Sequence, residues 1–204
     1  MSVARNPARE WQRLSAGFSL TDLLGRYVDD LIGLTAQQAL GCDEAALAVP
    51  PGWYVVPAIA GAQQPVRVAV TGHRLRGGWQ SCDTVAAAAF TGMPPEILTD
   101  HAARVLRDAD TAGVTVRSLS TPPVPGVCAV RSSGYLTVSA VRMWAQISSY
   151  VAGSNDPGTG RLIQHSQFVT TQRRTQLRSD IAQLSDSVHA AFLAACRQTP
   201  RPVF

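Results

Sequence analysis

Two side chains in this sequence have the chemistry to work as a nucleophile and its base, Cys128 and His165. An imidazole beside a thiol takes its proton and leaves a thiolate able to attack an electrophilic carbon. Both residues fall in segments that read as neighbouring strands, so a Cys/His-dependent enzyme is one function class to carry forward. The competing reading is a buried structural thiol and a hydrogen-bonded imidazole, and it asks less of the chain. The remaining histidines, His73, His101 and His189, make no H-x-x-x-H or H-x-H spacing with each other or with His165. Nor do Cys42, Cys82, Cys128 and Cys196 form a C-x-x-C pair. A metal centre would need convergence from distant positions, so no metal and no cofactor are expected. The scattered cysteines read as structural thiols.

Two further motifs lose their chemistry on inspection. Ser132-Ser133-Gly134 is not a G-x-S-x-G nucleophile elbow. The stretch GSNDPGTG from Gly153 to Gly160 has the glycines of a phosphate loop but no G-K-[ST] ending. It also leads into a strand pattern, so no helix N-terminus would face an anion, and a hairpin turn is the expectation. No catalytic residue is assigned.

The elements that position these residues are clearer. GVTVRSL reads as a strand, and Pro122 to Pro125 mark a corner. Alternating residues from Val127 to Thr171 read as hairpin strands. In the run from Tyr135 to Val151, Val141, Met143, Ala145, Ile147 and Val151 share one face, which period-two alternation assigns to a core. The other face carries Arg142, Trp144, Gln146, Ser148 and Tyr150. Arginine with tryptophan and tyrosine is a composition enriched at interface hot spots, so Arg142, Trp144, Gln146 and Tyr150 form a candidate partner-binding face. The alternative is a helix layer covering the same face.

A long helix from Arg173 to Arg197, capped by Thr170 or Thr171, follows from Leu177, Ile181, Leu184, Val188, Phe192 and Ala195 at helical spacing. It would extend roughly 37 Å, enough to cross a sheet. Pro94 and Pro95 start a shorter helix with Ile97, Leu98, His101, Val105 and Leu106 on one stripe, ended by Gly113. Upstream, EAALAVPPGWYVVPA reads as two short strands broken at Pro50-Pro51, and VRVAVTGHRL as another. DTVAAAAF is helical by composition and strand by position, and strand is the expectation.

From Ser19 to Leu34 the pattern is helical again, with Leu20, Leu24, Tyr27, Val28 and Leu31 on one stripe. An ordered helix of this length with Gly25 and Gly33 in it must pack on something. That is either its own domain or a second subunit, and a homodimer is expected. The organisation read from these elements is an extension over 1–41, a domain over 42–199 and a tail over 200–204.

The net charge of +4 comes from 18 basic residues that are all arginine. A lysine-free chain rich in alanine, valine and glycine points to a GC-rich, actinobacterial coding sequence more than to a nucleic-acid surface. Arg173, Arg174 and Arg178 lack the interleaved aromatics of a nucleic-acid site, so no nucleic-acid partner is expected. No run of residues reaches the length of a transmembrane helix. Ala39-Leu40-Gly41-Cys42 has the shape of a lipoprotein cleavage box, but Asp29, Asp30, Gln37 and Gln38 occupy the place of its apolar run. The expected location is cytoplasmic, with membrane or envelope association as the alternative.

Val49-Pro50-Pro51-Gly52-Trp53, the helix from Pro95, Pro125-Gly126-Val127 leading to Ser133-Gly134-Tyr135, and the closing strand and helix together resemble a PsbP-like domain. More narrowly they resemble the LpqN/LpqT group of mycobacterial proteins, over about residues 42–197. The resemblance implies an α+β fold, an α/β/α sandwich with a mostly antiparallel sheet. Members of the wider superfamily mostly bind other proteins and lack catalysis, and include chaperones of secreted effectors. The function this implies is a non-enzymatic domain that binds another polypeptide as a chaperone, adaptor or scaffold, linked to secretion or the envelope. The alternatives are an envelope-associated protein that binds a lipid or small apolar ligand, and the Cys/His enzyme.

Overall fold

The computed structural model describes residues 28, 30–43, 46–56, 65–73, 79–92, 104, 106–107, 111–138, 140–153 and 159–198. Among them one eight-stranded sheet is antiparallel at every pairing. Its strands are β1 (Asp30–Gly33), β2 (Tyr54–Val55), β3 (Arg67–His73) and β4 (Trp79–Thr91). They continue with β5 (Ala112–Ser118), β6 (Val127–Val138), β7 (Val141–Gly153) and β8 (Gly160–Thr170). The spatial order is β2-β3-β4-β8-β7-β6-β5, with β1 joining β4 beyond the end of β3. Among the described residues, the helices α1 (Ala36–Leu40) and the long α2 (Arg178–Gln198) accompany the sheet.

The alternation in β7 does what period two requires. Met143, Ala145, Ile147 and Val151 point to one face, in a cluster with Val68, Val70, Cys82, Phe90, Leu106, Leu136, Leu162 and Phe168. Leu106 sits among residues helical at Arg104, Leu106 and Arg107, so helical chain reaches this far face. Tyr150 points the other way, where Ile163, Ala87, Val188 and Phe192 join it. This is the helix face, because α2 lies across it. Ile181, Leu184, Val188, Phe192 and Ala195 are all buried, at the spacing that keeps one stripe of a helix inward. Asp180 in the first turn and Arg197 in the last complement the helix dipole. The ambiguous alanine run is strand, inside β4.

The sandwich is bounded differently from the sequence expectation in three places. First, α2 begins at Arg178, after turns over 171–177, and so extends about 31 Å. Arg173 and Arg174 are therefore turn residues. Second, residues 46–53 contribute no strand; among the described residues of this stretch Tyr54 and Val55 pair, against Val70 and Ala69. Third, the helix expected to reach Leu34 does not run that far. Leu31 pairs with Phe90 in β1 and packs on the far-face cluster beside Val28. Leu20, Leu24 and Tyr27 lie outside the described residues.

The division at residue 42 moves with it. Thr35 caps α1 through a full capping box, its hydroxyl accepting from the Gln38 amide and the Gln38 side chain accepting from its own. Gly41, at φ 67°, ends α1 in the left-handed conformation that glycine adopts at no steric cost. Ala39 and Leu40 are buried in the helix-face core. The Ala39–Cys42 quartet is thus a helix end docked in the domain. At the other extreme, the GSNDPGTG segment joins β7 to β8, as a hairpin requires. Gly160 is needed there, since a Cβ would lie 2.6 Å from the Phe90 ring and 2.8 Å from the Ala152 carbonyl.

Candidate functional site

The expected partner face of β7 is interior. Trp144, Gln146 and Tyr150 are buried under α2, and only Arg142 is exposed. Tyr150 stacks on Phe192 at 5.1 Å between ring centroids and meets His189 at 5.7 Å. Gln146 Nε2 donates to Ser185 Oγ at 2.8 Å, tying the strand to the helix. At the strand end, Arg174 lies over the Trp144 ring at 4.9 Å and over Tyr135 at 5.4 Å, while Arg142 covers Tyr135 at 5.5 Å. The aromatics therefore serve as core and as cation–π seats, and the helix-layer alternative is the one realised.

Cys128 and His165 do not meet. Cys128 pairs across to Val151 on β7, and Val151 to Leu162 on β8. Cys128, Val151 and Leu162 share the far-face cluster, so His165, three residues on from Leu162, projects to the helix face. A full strand and the thickness of the sheet separate thiol from imidazole. None of the four cysteines is in a disulfide. Burial pushes Cys82 far up, with the Asp83 carboxylate adding to the shift.

His165 belongs instead to a polar network that the sequence reading missed. Asp83 on β4 holds Arg67 Nη2 at 2.5 Å with one oxygen and His165 Nε2 at 2.5 Å with the other. Arg67 also donates to the Leu47 carbonyl. Gln167 Nε2 reaches Asp83 Oδ1 at 3.3 Å and the Ile181 carbonyl of α2 at 3.2 Å, while its oxygen accepts from Gln146 and Ser185. Burial alone would raise the Asp83 carboxyl, but His165 and Arg67 outweigh it and bring the pKa down to about 2. Arg67, Asp83 and His165 are no more than 1% exposed. Sealed beneath α2, this triad positions helix against sheet and faces no solvent.

The far face offers a different arrangement. Among its apolar side chains runs a polar band of Thr84, Gln164, Ser166, Ser149 and Ser132, each buried. Gln164 Nε2 donates to Ser166 Oγ at 3.1 Å. Ser132 Oγ and Ser149 Oγ have no hydrogen-bond partner, and they are diagonal neighbours: Ser132 pairs with Ile147, Ser149 with Val130. An unsatisfied buried hydroxyl costs about 1–3 kcal/mol, which alanine would avoid. The helix face has orphans of its own, including Ser81 Oγ and His165 Nδ1.

At one end of the far face a cavity of about 350 Å³ is lined by Gln80, Val141, Thr170, Gln172 and Arg173. Gln80, Val141 and Thr170 occupy the same alternation positions as Cys82, Met143 and Phe168, so the cavity continues the apolar face. Among the described residues no three His, Cys, Asp or Glu side chains converge as a metal site. Nor is any described helix long and apolar enough to cross a membrane.

No family model and no curated protein matches the chain. Among solved structures it is similar to LpqN, involved in cell envelope biogenesis of Mycobacterium tuberculosis. The identity is 13% over 68% of this chain and 78% of that one, with a TM-score of 0.54. The human StarD13 lipid transfer and protein localization domain matches at 16% identity over 74% of this chain and 90% of its own, with a TM-score of 0.32. Human STARD10 matches at 12% identity over 76% and 77%, with a TM-score of 0.23. The two human domains superpose too loosely to carry an argument. The first likeness agrees with the resemblance read from the residues, and it establishes architecture: the chain has the α+β fold of LpqN, an antiparallel sheet with a long C-terminal helix.

Proposed function

We propose that this domain is a non-enzymatic binding protein for a single-chain amphiphile, held against the far face of the sheet. One observation carries the reading. Ser132 and Ser149 place two unpartnered hydroxyls in the polar band that crosses the apolar far face, and that face continues into a cavity at its end. An apolar chain would lie along Met143, Ile147 and Leu162, with an ester or hydroxyl of the ligand pairing with the two serines. Such a site is mostly apolar with a few placed polar groups, the usual design of a small-molecule pocket. The envelope setting is taken over from LpqN, whose role lies in envelope biogenesis.

The test is a pair of measurements on Ser132→Ala/Ser149→Ala. In a fluorescence titration with monopalmitoylglycerol below its micelle concentration, the variant is expected to bind about tenfold more weakly than the parent. Its thermal unfolding temperature should be unchanged or higher, since two unsatisfied hydroxyls are gone. Equal affinity in both proteins would contradict the reading, and so would a parent that binds no amphiphile.

A polypeptide partner remains the second reading, now at another place. Tyr54 and Val55 of β2, the terminal strand of the described sheet order, are 63% and 50% exposed. An extended segment could add to that edge through backbone hydrogen bonds. If amphiphiles fail to bind while a strand-forming peptide slows hydrogen exchange at the β2 amides, this reading replaces the first.

A further inference from the structure

We infer that the domain carries a second site, independent of the amphiphile reading, where Arg131 and Arg117 bind a phosphate dianion on the helix face. Arg131 on β6 is only 8% exposed, and its Nε donates to Ser148 Oγ at 2.8 Å, directly across on β7. Neither Nη1 nor Nη2 has a hydrogen-bond partner among the described residues, and neither is sealed from water. The unpaired end of the guanidinium is therefore its accessible end. Arg117 on β5 pairs with Arg131, so the two side chains stand side by side on one face. Arg117 is exposed, on the terminal strand of the described sheet order. A guanidinium pinned at Nε with its fork open is preorganised for an oxygen anion, which it can meet with two parallel bonds.

No described group offsets this charge. Strands β5 to β8 contain no aspartate or glutamate. On α2, Asp180 accepts from Trp53 Nε1 at 2.9 Å, and Asp186 is exposed and forms no ion pair with Arg131. Burial pushes the Tyr150 hydroxyl up against the pull of Arg131, so the phenol stays neutral. Like charges directly opposite on neighbouring strands repel, and a buried charge needs an opposite one. Two guanidiniums together select a dianion over a carboxylate. His189 on α2 reports on the site, with its ring 5.7 Å from Tyr150. Burial and the Arg131 charge lower its pKa, while Asp186 raises it. A phosphate on Arg131 adds negative charge there and should move the imidazole back up.

The experiment titrates the full chain with inorganic phosphate, glycerol 3-phosphate and acetate at about pH 8, where phosphate groups are doubly charged. At least one phosphate is expected to bind about tenfold or more tightly than acetate. The tighter of the two phosphates tells a free ion from a monoester. Arg131→Gln should weaken phosphate binding at least about tenfold. It should not lower the melting temperature of the ligand-free protein, since it removes a buried charge that has no partner. Arg117→Gln, at an exposed position, should weaken binding about threefold, while Arg178→Gln, exposed on α2, should not. In a nuclear magnetic resonance titration, saturating phosphate should raise the His189 pKa in the parent and leave it unmoved in Arg131→Gln. Equal affinity for phosphate and acetate would overturn the inference. So would equal losses in Arg117→Gln and Arg178→Gln, because the attraction would then be diffuse surface charge. An unmoved His189 in the parent would overturn it as well, and each of these results spares the amphiphile reading.

Discussion

Asp83→Asn is expected to destabilise the protein by about 3–5 kcal/mol, read as a shift in the chemical denaturation midpoint. The substitution keeps the shape of the side chain but leaves the Arg67 guanidinium, 1% exposed, without its counter-charge. It also weakens the grip on His165 and Gln167, and through Gln167 on the Ile181 carbonyl of α2. Removing one member of a buried ion pair costs more than removing both. Arg67→Met/Asp83→Asn should therefore be more stable than Asp83→Asn alone. The pH dependence follows from the direction of the shift. The Asp83 pKa is lowered in the folded state from 3.8 to about 2, so its contribution is fully present above the unfolded value. That contribution is lost as the pH falls through this window, and the parent should lose stability there more steeply than the Asn variant. A cost below about 1 kcal/mol for Asp83→Asn would mean that water reaches Arg67 and that the network is not sealed.

Phe192→Ala is expected to cost a similar amount, about 3–5 kcal/mol, for a different reason. Phe192 is fully buried, and its ring packs on Tyr150 at the centre of the contact between α2 and β7. Deleting it opens a cavity that neighbouring strands cannot close, because the sheet is held in register on both sides of β7. This loss should show no added acid dependence between pH 2 and 4, unlike the effect at Asp83. It should also leave amphiphile affinity unchanged in the folded protein, since Phe192 and the proposed site lie on opposite faces. Calorimetry and the palmitoyl ligand titration on the same sample check both halves.

Much of this architecture was legible in local pattern. Period two along β7 separated Met143 and Ile147 from Trp144 and Tyr150 before any partner was known. Helical spacing from Ile181 to Ala195 identified the stripe that docks. Which face of β7 the long helix takes was not legible, because both faces carry large apolar groups. The helix read from Ser19 overran into β1 because Leu31 suits either element, and its strand partner, Phe90, lies far along the chain. Cys128 and His165 show the limit of reading strands one at a time. Whether two side chains meet depends on register and on which strand intervenes, and β7 lies between them.

The buried triad did leave a trace. Asp83 is the one charged residue of β4, while Arg67 shares β3 with His73 and His165 shares β8 with Arg161, in strands otherwise composed mostly of small, apolar or uncharged side chains. Opposite charges in that setting imply a pair, since neither is tolerated alone. Ser132 and Ser149 left none, because serine in a strand says nothing about whether its hydroxyl finds a partner.

The most direct test of the account is to locate a bound ligand by nuclear Overhauser effects, using protein with labelled methyl groups and monopalmitoylglycerol. Cross-peaks from the acyl chain to Met143, Ile147, Leu136 and Leu162, with none to Leu184, Val188 or Ile163, are the predicted result. Cross-peaks confined to the α2 side of the sheet or to Val55 at the β2 edge would contradict it, as would spectra that do not change on adding ligand.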